Sequence, residues 1–271
     1  MAKSKKSNKL PAKPRIYVAC YDLHYPSVNW PTFNCMLSYI QQNNIDGFIF
    51  GGDQFDNQCI SKHTKNKPIY RVKGAYRHDE EGFREKVFNP LADVFTENTN
   101  PIERVWIVGN HDDWEFQYVE ENPEFEGLVD RVTSLKLVEQ GWKVVPRGHE
   151  FRLGKLSVIH GEVLTGIGNQ GGNYPARKAV ELYASNVLAG HTHAPQSFTR
   201  VSPVRQVQKW MGHIAPIVGD RNPQYLQNRP TAWLNGFVII EVYDNGQFNL
   251  FPVIVTNGVC SYGGKIYRAK K

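Results

Sequence analysis

The junction at residues 105–112 constrains this chain more than any other stretch. Val105-Trp106-Ile107-Val108 is apolar at every position and too short for a helix, so it reads as a buried strand. Gly109 ends the run and lets the backbone turn sharply. Asn110, His111 and Asp112 are then crowded at one strand end. An amide oxygen can bind a hard metal ion, an imidazole can donate a proton, and a carboxylate can orient that imidazole. The same four residues would also make an ordinary polar turn, so the weight of the reading depends on whether the pattern recurs.

It recurs along the chain. Ile16-Tyr17-Val18-Ala19-Cys20 runs into Asp22 and His24. Alternation in an extended chain would set those two side chains on one side, where they can bind one ion. Phe48-Ile49-Phe50 ends in Gly51-Gly52-Asp53, with Asp56 three residues on. The strand at 156–159 delivers His160, and the strand at 186–189 ends in Gly190, His191 and His193. Of the nine histidines, His24, His111, His160, His191 and His193 follow strand ends, where chance would scatter them. In parallel α/β sheets, ligand sites collect at the carboxyl ends of strands.

The segments between these strands carry helical patterns. A helix is expected from Pro31 to Gln42, with Phe33, Met36, Leu37 and Ile40 as its apolar face. Another is expected over about 79–95, interrupted near Pro90, and short amphipathic helices over 113–122 and 124–137. Residues 143–145, 150–153 and 156–159 read as a meander. Gly166, Gly168, Gly171 and Gly172 read as a flexible loop before a helix at about 175–184. A hairpin over 236–255 turns at Asp244-Asn245-Gly246, and a last short strand precedes the basic end.

The 271 residues suffice for a sizeable core, and 41% hydrophobic with 12% aromatic content is that of a globular chain. The expected organisation is a disordered basic tail at 1–14, one domain at 15–264, and a basic end at 265–271. Insertions are expected at about 57–100 and 199–230, the second irregular and bearing Arg200, Arg205, Lys209, Arg221 and Arg229. Residues 1–15 hold six of the 32 basic residues, and the remaining 26 equal the acidic count, so the formal +6 resides in the tail and the Arg15 that follows it. Such a tail can hold a polyanion or simply solubilise the end. Within 57–100, Lys62, Lys65, Lys67, Arg71, Lys73 and Arg77 fall in sixteen residues free of acid, with Tyr70 and Tyr76 among them. Basic plus aromatic suits phosphate binding and base stacking, and a solvated loop is the competing account. Lys65, Lys67, Arg71 and Lys73 are the substrate-binding candidates. No apolar stretch approaches the eighteen or so residues of a membrane span, and no apolar run follows the N-terminal lysines. Cys20, Cys35, Cys59 and Cys260 are scattered, as in a reduced cytoplasmic protein.

Taken in order, the blocks Asp22-x-His24, Gly52-Asp53-x-x-Asp56, Gly109-Asn110-His111-Asp112, His160 and Gly190-His191-x-His193 resemble the calcineurin-like metallophosphoesterase superfamily. The resemblance implies a four-layer α/β/β/α sandwich of two mixed sheets flanked by helices. It implies two divalent transition-metal ions at the strand ends, Mn foremost, with Fe, Zn or Ni as alternatives. By the family's pattern Asp22, His24, Asp53 and His193 hold one ion. Asp53 bridges to a second, held by Asn110, His160 and His191. Mixed nitrogen and oxygen ligation suits such metals better than Ca or Mg. A bridging water that loses its proton near neutral pH would attack phosphorus in line. His111 would protonate the leaving oxygen, Asp112 would hold the His111 ring, and Asp56 would support the site. Protein phosphatases of the superfamily carry Asp-Arg-Gly at the second block and Glu in the third, whereas here Asn57 and Gln58 follow Asp56 and Asp112 ends the third. Retention of His111 favours a leaving alkoxide that needs a proton.

The expected function is therefore a metal-dependent phosphodiesterase acting on nucleic acid or nucleotides, with DNA or RNA as partner and no membrane. The alternative is a phosphomonoesterase or cyclic-nucleotide phosphodiesterase on a small substrate. A non-catalytic scaffold on the same fold is the third reading, and scaffolds lose ligands that this chain retains.

Overall fold

Period-2 alternation along the strands sorts the side chains into layers. The computed structural model describes residues 13–166, 174–204 and 209–270. The first strands are β1 (Arg15–Cys20), β2 (Gly47–Phe50), β3 (Glu103–Ile107), β4 (Trp142–Val145), β5 (Phe151–Leu153) and β6 (Leu156–Val158). The later ones are β7 (Asn186–Ala189), β8 (Gln196–Val201), β9 (Lys209–Ile214), β10 (Gly236–Val242), β11 (Phe248–Ile254), β12 (Val259–Tyr262) and β13 (Lys265–Arg268). One sheet has the order β11-β10-β1-β2-β3-β4, and the other β5-β6-β7-β9-β8. Strands β1 to β4 are mutually parallel, as are β6, β7 and β9, and antiparallel strands border both sets.

Tyr17 and Ala19 of β1 pack with Ile49, Val105, Val158 and Leu188 between the two sheets. Val18 and Cys20 point the other way, into the layer beneath the helices on the first sheet. Val187 and Ala189 of β7 face the helix that covers the second sheet. The result is the four-layer α/β/β/α sandwich of two mixed sheets.

The covering helices are α1 (Trp30–Gln42), α2 (Ala75–Phe83), α3 (Asn89–Thr96), α4 (Trp114–Glu121), α5 (Arg131–Ser134), α6 (Val163–Gly166) and α7 (Pro175–Tyr183). The Asn29 side chain caps α1 by accepting from Thr32 N–H at 3.0 Å, and Phe33, Met36 and Ile40 bury its apolar face as expected. The second helical stretch begins four residues earlier than expected, and its α geometry is interrupted near Pro90 as expected. A π-helical segment, Arg84–Phe88, joins α2 to α3 just before that proline. Proline has no N–H and crowds the carbonyl four residues back, and the wider turn relieves both.

Other expectations are corrected. The helix over 124–137 shrinks to α5, because Asp130 takes extended backbone and caps a fresh start by accepting from Thr133 N–H at 3.2 Å. The meander does not form: β4 pairs parallel to β3 in the first sheet, and β5 and β6 belong to the second. Trp142 explains the split, since its ring stacks on Phe50 with centroids 5.4 Å apart in the helix-side layer. Residues 199–230 are not wholly irregular, because β8 and β9 occupy part of them; β8 is an outer strand, so its mostly exposed side chains hid it from the sequence. The last strand is a hairpin, β12 with β13, and it reaches into the basic end, where buried Tyr267 packs on Tyr39 of α1. Residues 1–12, Gly168, Gly171, Gly172 and Arg205 lie outside the described residues. Among the described residues no helix is long and apolar enough to cross a membrane.

Candidate metal centre

The carboxyl ends of β1, β2 and β3 meet those of β6 and β7 at one edge of the sandwich. Backbone bonds sew the ends together: Asp22 N–H to Gly52 O at 3.1 Å, His24 N–H to Asp53 O at 2.9 Å, and Gly190 N–H to His160 O at 2.7 Å. Asp22 and His24 do not converge by strand alternation. Both adopt left-handed backbone, with φ 51° and 50°, and so do Asp53, His191 and His193 at 53°, 65° and 61°. A non-glycine residue held there costs on the order of 1 kcal/mol or more, and such strain gathers at functional sites. The glycines of the blocks are needed for close approach. A β-carbon on Gly109 would overlap the Asp53 carboxylate, and one on Gly52 would overlap the His160 ring.

Asp53 is the hub. Its Oδ1 accepts from His111 N–H at 2.8 Å. Its Oδ2 faces His160 Nε2 at 3.2 Å, with His24 Nε2 and His111 Nε2 each 4.0 Å away. Asn110 Oδ1 lies 3.1 Å from the same His160 Nε2. His160 Nδ1 is 3.1 Å from Gly51 O, and a carbonyl only accepts, so that nitrogen carries the proton and Nε2 is the one aimed at Asp53 and Asn110. On the other side, Asp22 accepts His191 N–H with both oxygens at 3.2 and 3.0 Å and faces His193 Nε2 at 3.3 Å. His24 Nε2 and His193 Nε2 are 3.3 Å apart. Among the described residues, Asp22, His24 and His193 form one group whose ligand atoms lie within 4.8 Å of one another, Asp53, His160 and His191 form another, and His24, Asp53 and His111 form a third that overlaps both.

The electrostatics call for positive charge here. Burial opposes charging His24 and His160, yet Asp56 and Asp53 raise His24 to about 9 and Asp53 raises His160 to about 10. Burial and the neighbouring His160 push His191 down to about 4. Despite burial, His193 and His160 hold Asp22 and Asp53 below the usual carboxylate range. His24 Nδ1 and His193 Nδ1 are buried without a hydrogen-bond partner. Converging nitrogen and oxygen donors, two of them carboxylates, fit two divalent ions of intermediate softness.

His111 stands at the rim of this cluster. Its Nδ1 is 3.0 Å from Asp56 O and 3.3 Å from Asp56 Oδ1, so Nδ1 carries a proton and Nε2 faces inward. Trp114 packs on the ring at a 31° tilt, with centroids 3.9 Å apart. Asp112 does not hold the His111 ring, which corrects the expectation. Its Oδ2 accepts from Asp53 N–H and Gly109 N–H, both at 2.9 Å, and its Oδ1 accepts from Phe55 N–H at 3.2 Å. Three strand-end N–H groups need an acceptor, and the turn at 109–113 swings Asp112 beneath them. Asp56 supports the ring instead. Burial and nearby Asp53 raise Asp112 to about 7, against the lowering effect of those N–H bonds.

Two residues escaped the sequence reading. Asn57 donates from Nδ2 to His111 O at 2.9 Å. Buried Arg131 lies between the rings of Phe55 and Tyr76, 3.7 and 4.0 Å from their centroids. It donates to Asn57 Oδ1, to Glu115 Oε1 at 3.0 Å and to Tyr76 O at 3.1 Å. No local signal marks a lone arginine in a polar stretch. Lys65, Lys67, Arg71 and Lys73 are all exposed. Arg71 and Lys73 line a groove of about 540 Å³ whose lining includes none of the cluster residues, and Lys65 and Lys67 are not part of it.

No curated protein matches the chain by sequence. Among solved structures, wild-type Vps29 complexed with Zn²⁺ from Entamoeba histolytica is 10% identical, with 93% of this chain and 95% of that one covered and a TM-score of 0.42. Vps29 from Cryptosporidium parvum is 12% identical, with 94% and 95% covered and a TM-score of 0.43. A dimetal phosphatase from Danio rerio is 9% identical, with 96% and 98% covered and a TM-score of 0.38. The family model for calcineurin-like phosphoesterases matches residues 18–212, which is more than half of the chain. That span runs from β1 to β9 and takes in every strand end that feeds the cluster, so the chain belongs to the calcineurin-like phosphoesterase family.

Proposed function

We propose that this protein is a metal-dependent phosphodiesterase acting on nucleic acid or nucleotides. The observation that carries the reading is His111, whose Nδ1–H is held by Asp56 while Nε2 points into the cluster beside Asp53. A proton donor at that position serves a basic leaving alkoxide, as in a nucleic-acid backbone. Asp22, His24, Asp53 and His193 would hold one ion, and Asp53, Asn110, His160 and His191 the other. Two divalent ions, Mn foremost, supply positive charge for the phosphoryl oxygens and acidity for water when bound. Asp56 accepts the Nδ1–H bond, so the proton that the ring gives up in its doubly protonated form is the one on Nε2, facing the cluster, and Trp114 packs against the ring. The scattered spacing of the four cysteines, without a paired motif, suits a reducing, cytoplasmic setting.

A substrate panel run with Mn tests the reading: bis- and mono-nitrophenyl phosphate, cyclic nucleotides, single- and double-stranded DNA, and RNA. Turnover of the diester and of at least one nucleic acid is expected. Turnover confined to the monoester or to cyclic nucleotides would overturn it in favour of a small-substrate phosphoesterase.

A further inference from the structure

One groove outside the metal centre has an unusual lining. It lies between residues 71–77 and the segment running from α4 towards α5, and it encloses about 540 Å³. Arg71, Lys73 and Arg77 stand on one side, Tyr118, Phe125 and Leu128 on the other, and no acidic side chain lines it. The Tyr118 and Phe125 rings lie with centroids 5.6 Å apart. Leu128 is 69% exposed and Val72 65% exposed, so the walls leave apolar surface open to water beside three cations. A solvated loop has no use for that combination. A ligand with a flat apolar body and negative charges does.

The groove lies one helical turn from the residue that packs on His111. Tyr118 is four residues from Trp114 on α4, about 6 Å along the axis. Trp114 packs on His111 with ring centroids 3.9 Å apart, and His63 packs on the same indole at 5.6 Å. A small cleft beside them is lined by Ile60, Lys62, Trp114, Gln117, Tyr118 and Glu121.

We infer that this groove is a subsite for single-stranded nucleic acid, in which a base stacks on Tyr118 and Phe125 while Arg71, Lys73 and Arg77 hold the flanking phosphates. The inference rests on the proposed function in taking nucleic acid as the substrate. Charge complementarity selects a polyanion, and the aromatic pair selects one whose base faces are free, which a duplex does not offer.

Fluorescence anisotropy with labelled (dT)2, (dT)4 and (dT)8 tests this on the protein as purified, without added metal, so that binding is read apart from turnover. Affinity should rise from (dT)2 to (dT)4 and then level. Tyr118→Ala should weaken (dT)4 binding about 5- to 150-fold. Arg71→Glu with Lys73→Glu should reduce the slope of log affinity against log salt by about 1.4, at about 0.7 for each phosphate released. Those two residues are exposed, so this variant carries the test if Tyr118→Ala fails to fold. Equal affinity for (dT)2 and (dT)4, or an unchanged salt slope, would overturn the subsite. Binding of anionic phospholipid vesicles but not of (dT)4 would overturn it in favour of a lipid. Binding of (dT)4 that depends on Tyr118, without cleavage of any nucleic acid under Mn, would uphold the subsite and sink the proposed function. Cleavage without any dependence on length or on Tyr118 would do the reverse.

Discussion

His111 and the two carboxylates near it, Asp56 and Asp112, have separable duties. Asp56 touches the imidazole, and Asp112 touches only backbone N–H groups. His111→Ala should therefore lower turnover of alkyl diesters about 10²- to 10⁴-fold and spare nitrophenyl esters, whose leaving group needs little protonation. Asp56→Asn should move in the same direction by less, because the Asp56 carbonyl still accepts from Nδ1. Asp112→Asn should act on stability, by about 1–3 kcal/mol, since an amide offers one acceptor oxygen to three N–H groups. Paired kinetics on the two ester types, with thermal melts, read these effects apart; a larger selective loss in Asp112→Asn than in Asp56→Asn would refute the assignment. The sequence could not make this choice. Asp112 is adjacent to His111 in the chain and Asp56 is fifty-five residues away, and only the turn after Gly109 decides which reaches the ring. The residues that converge at the strand ends were legible because each follows a short apolar run, and glycines mark the places where strand ends crowd.

Between elements, Arg131 ties α5 to the first turn of α2 and, through Asn57, to the loop that carries His111. Its loss would leave Glu115, whose side chain is only 12% exposed, without its cation, and breaking a buried pair costs about 3–5 kcal/mol. Arg131→Met should then lower the melting temperature by about 5–10 °C, and a change under 1 °C would show that the pair contributes nothing. The β8–β9 pair supplies a pH dependence. Ser197 and His213 are cross-strand partners, with Ser197 Oγ 2.9 Å from His213 Nδ1, and burial lowers the His213 pKa. The folded state favours neutral imidazole, so this stability is present above the unfolded value of about 6.5 and is lost as pH falls through the lower folded value. Urea titrations from pH 8 to 5 should show a shallower decline in His213→Gln than in wild type, and parallel declines would contradict it. Helix and strand patterns were readable where burial was one-sided or complete. They failed at exposed β8; β4 was readable as a strand, but its sheet depends on Trp142 finding Phe50 rather than on any local preference.

Across the whole molecule, the metal centre draws on both sheets, so ions bound there act on the sandwich as a unit. Loading with Mn and elemental analysis should find two ions per chain. At a hundred times the dissociation constant one bound ion adds about 2.7 kcal/mol, which for a chain of this size raises the melting temperature by about 5 °C. A melt unmoved by Mn or by chelator would contradict a centre that spans the sheets. The strand order has its own consequence. β10 pairs along the length of β1, between it and β11, although more than two hundred residues separate β1 and β10 in the chain. On the ribosome the segment bearing Asp22, His24 and Asp53 emerges early, yet one flank of β1 stays unpaired until residue 242 has been synthesised. The last-made part of the sheet is thus the piece that seals its interior, and the nascent chain must keep a bare hydrogen-bonding edge from finding another copy until then.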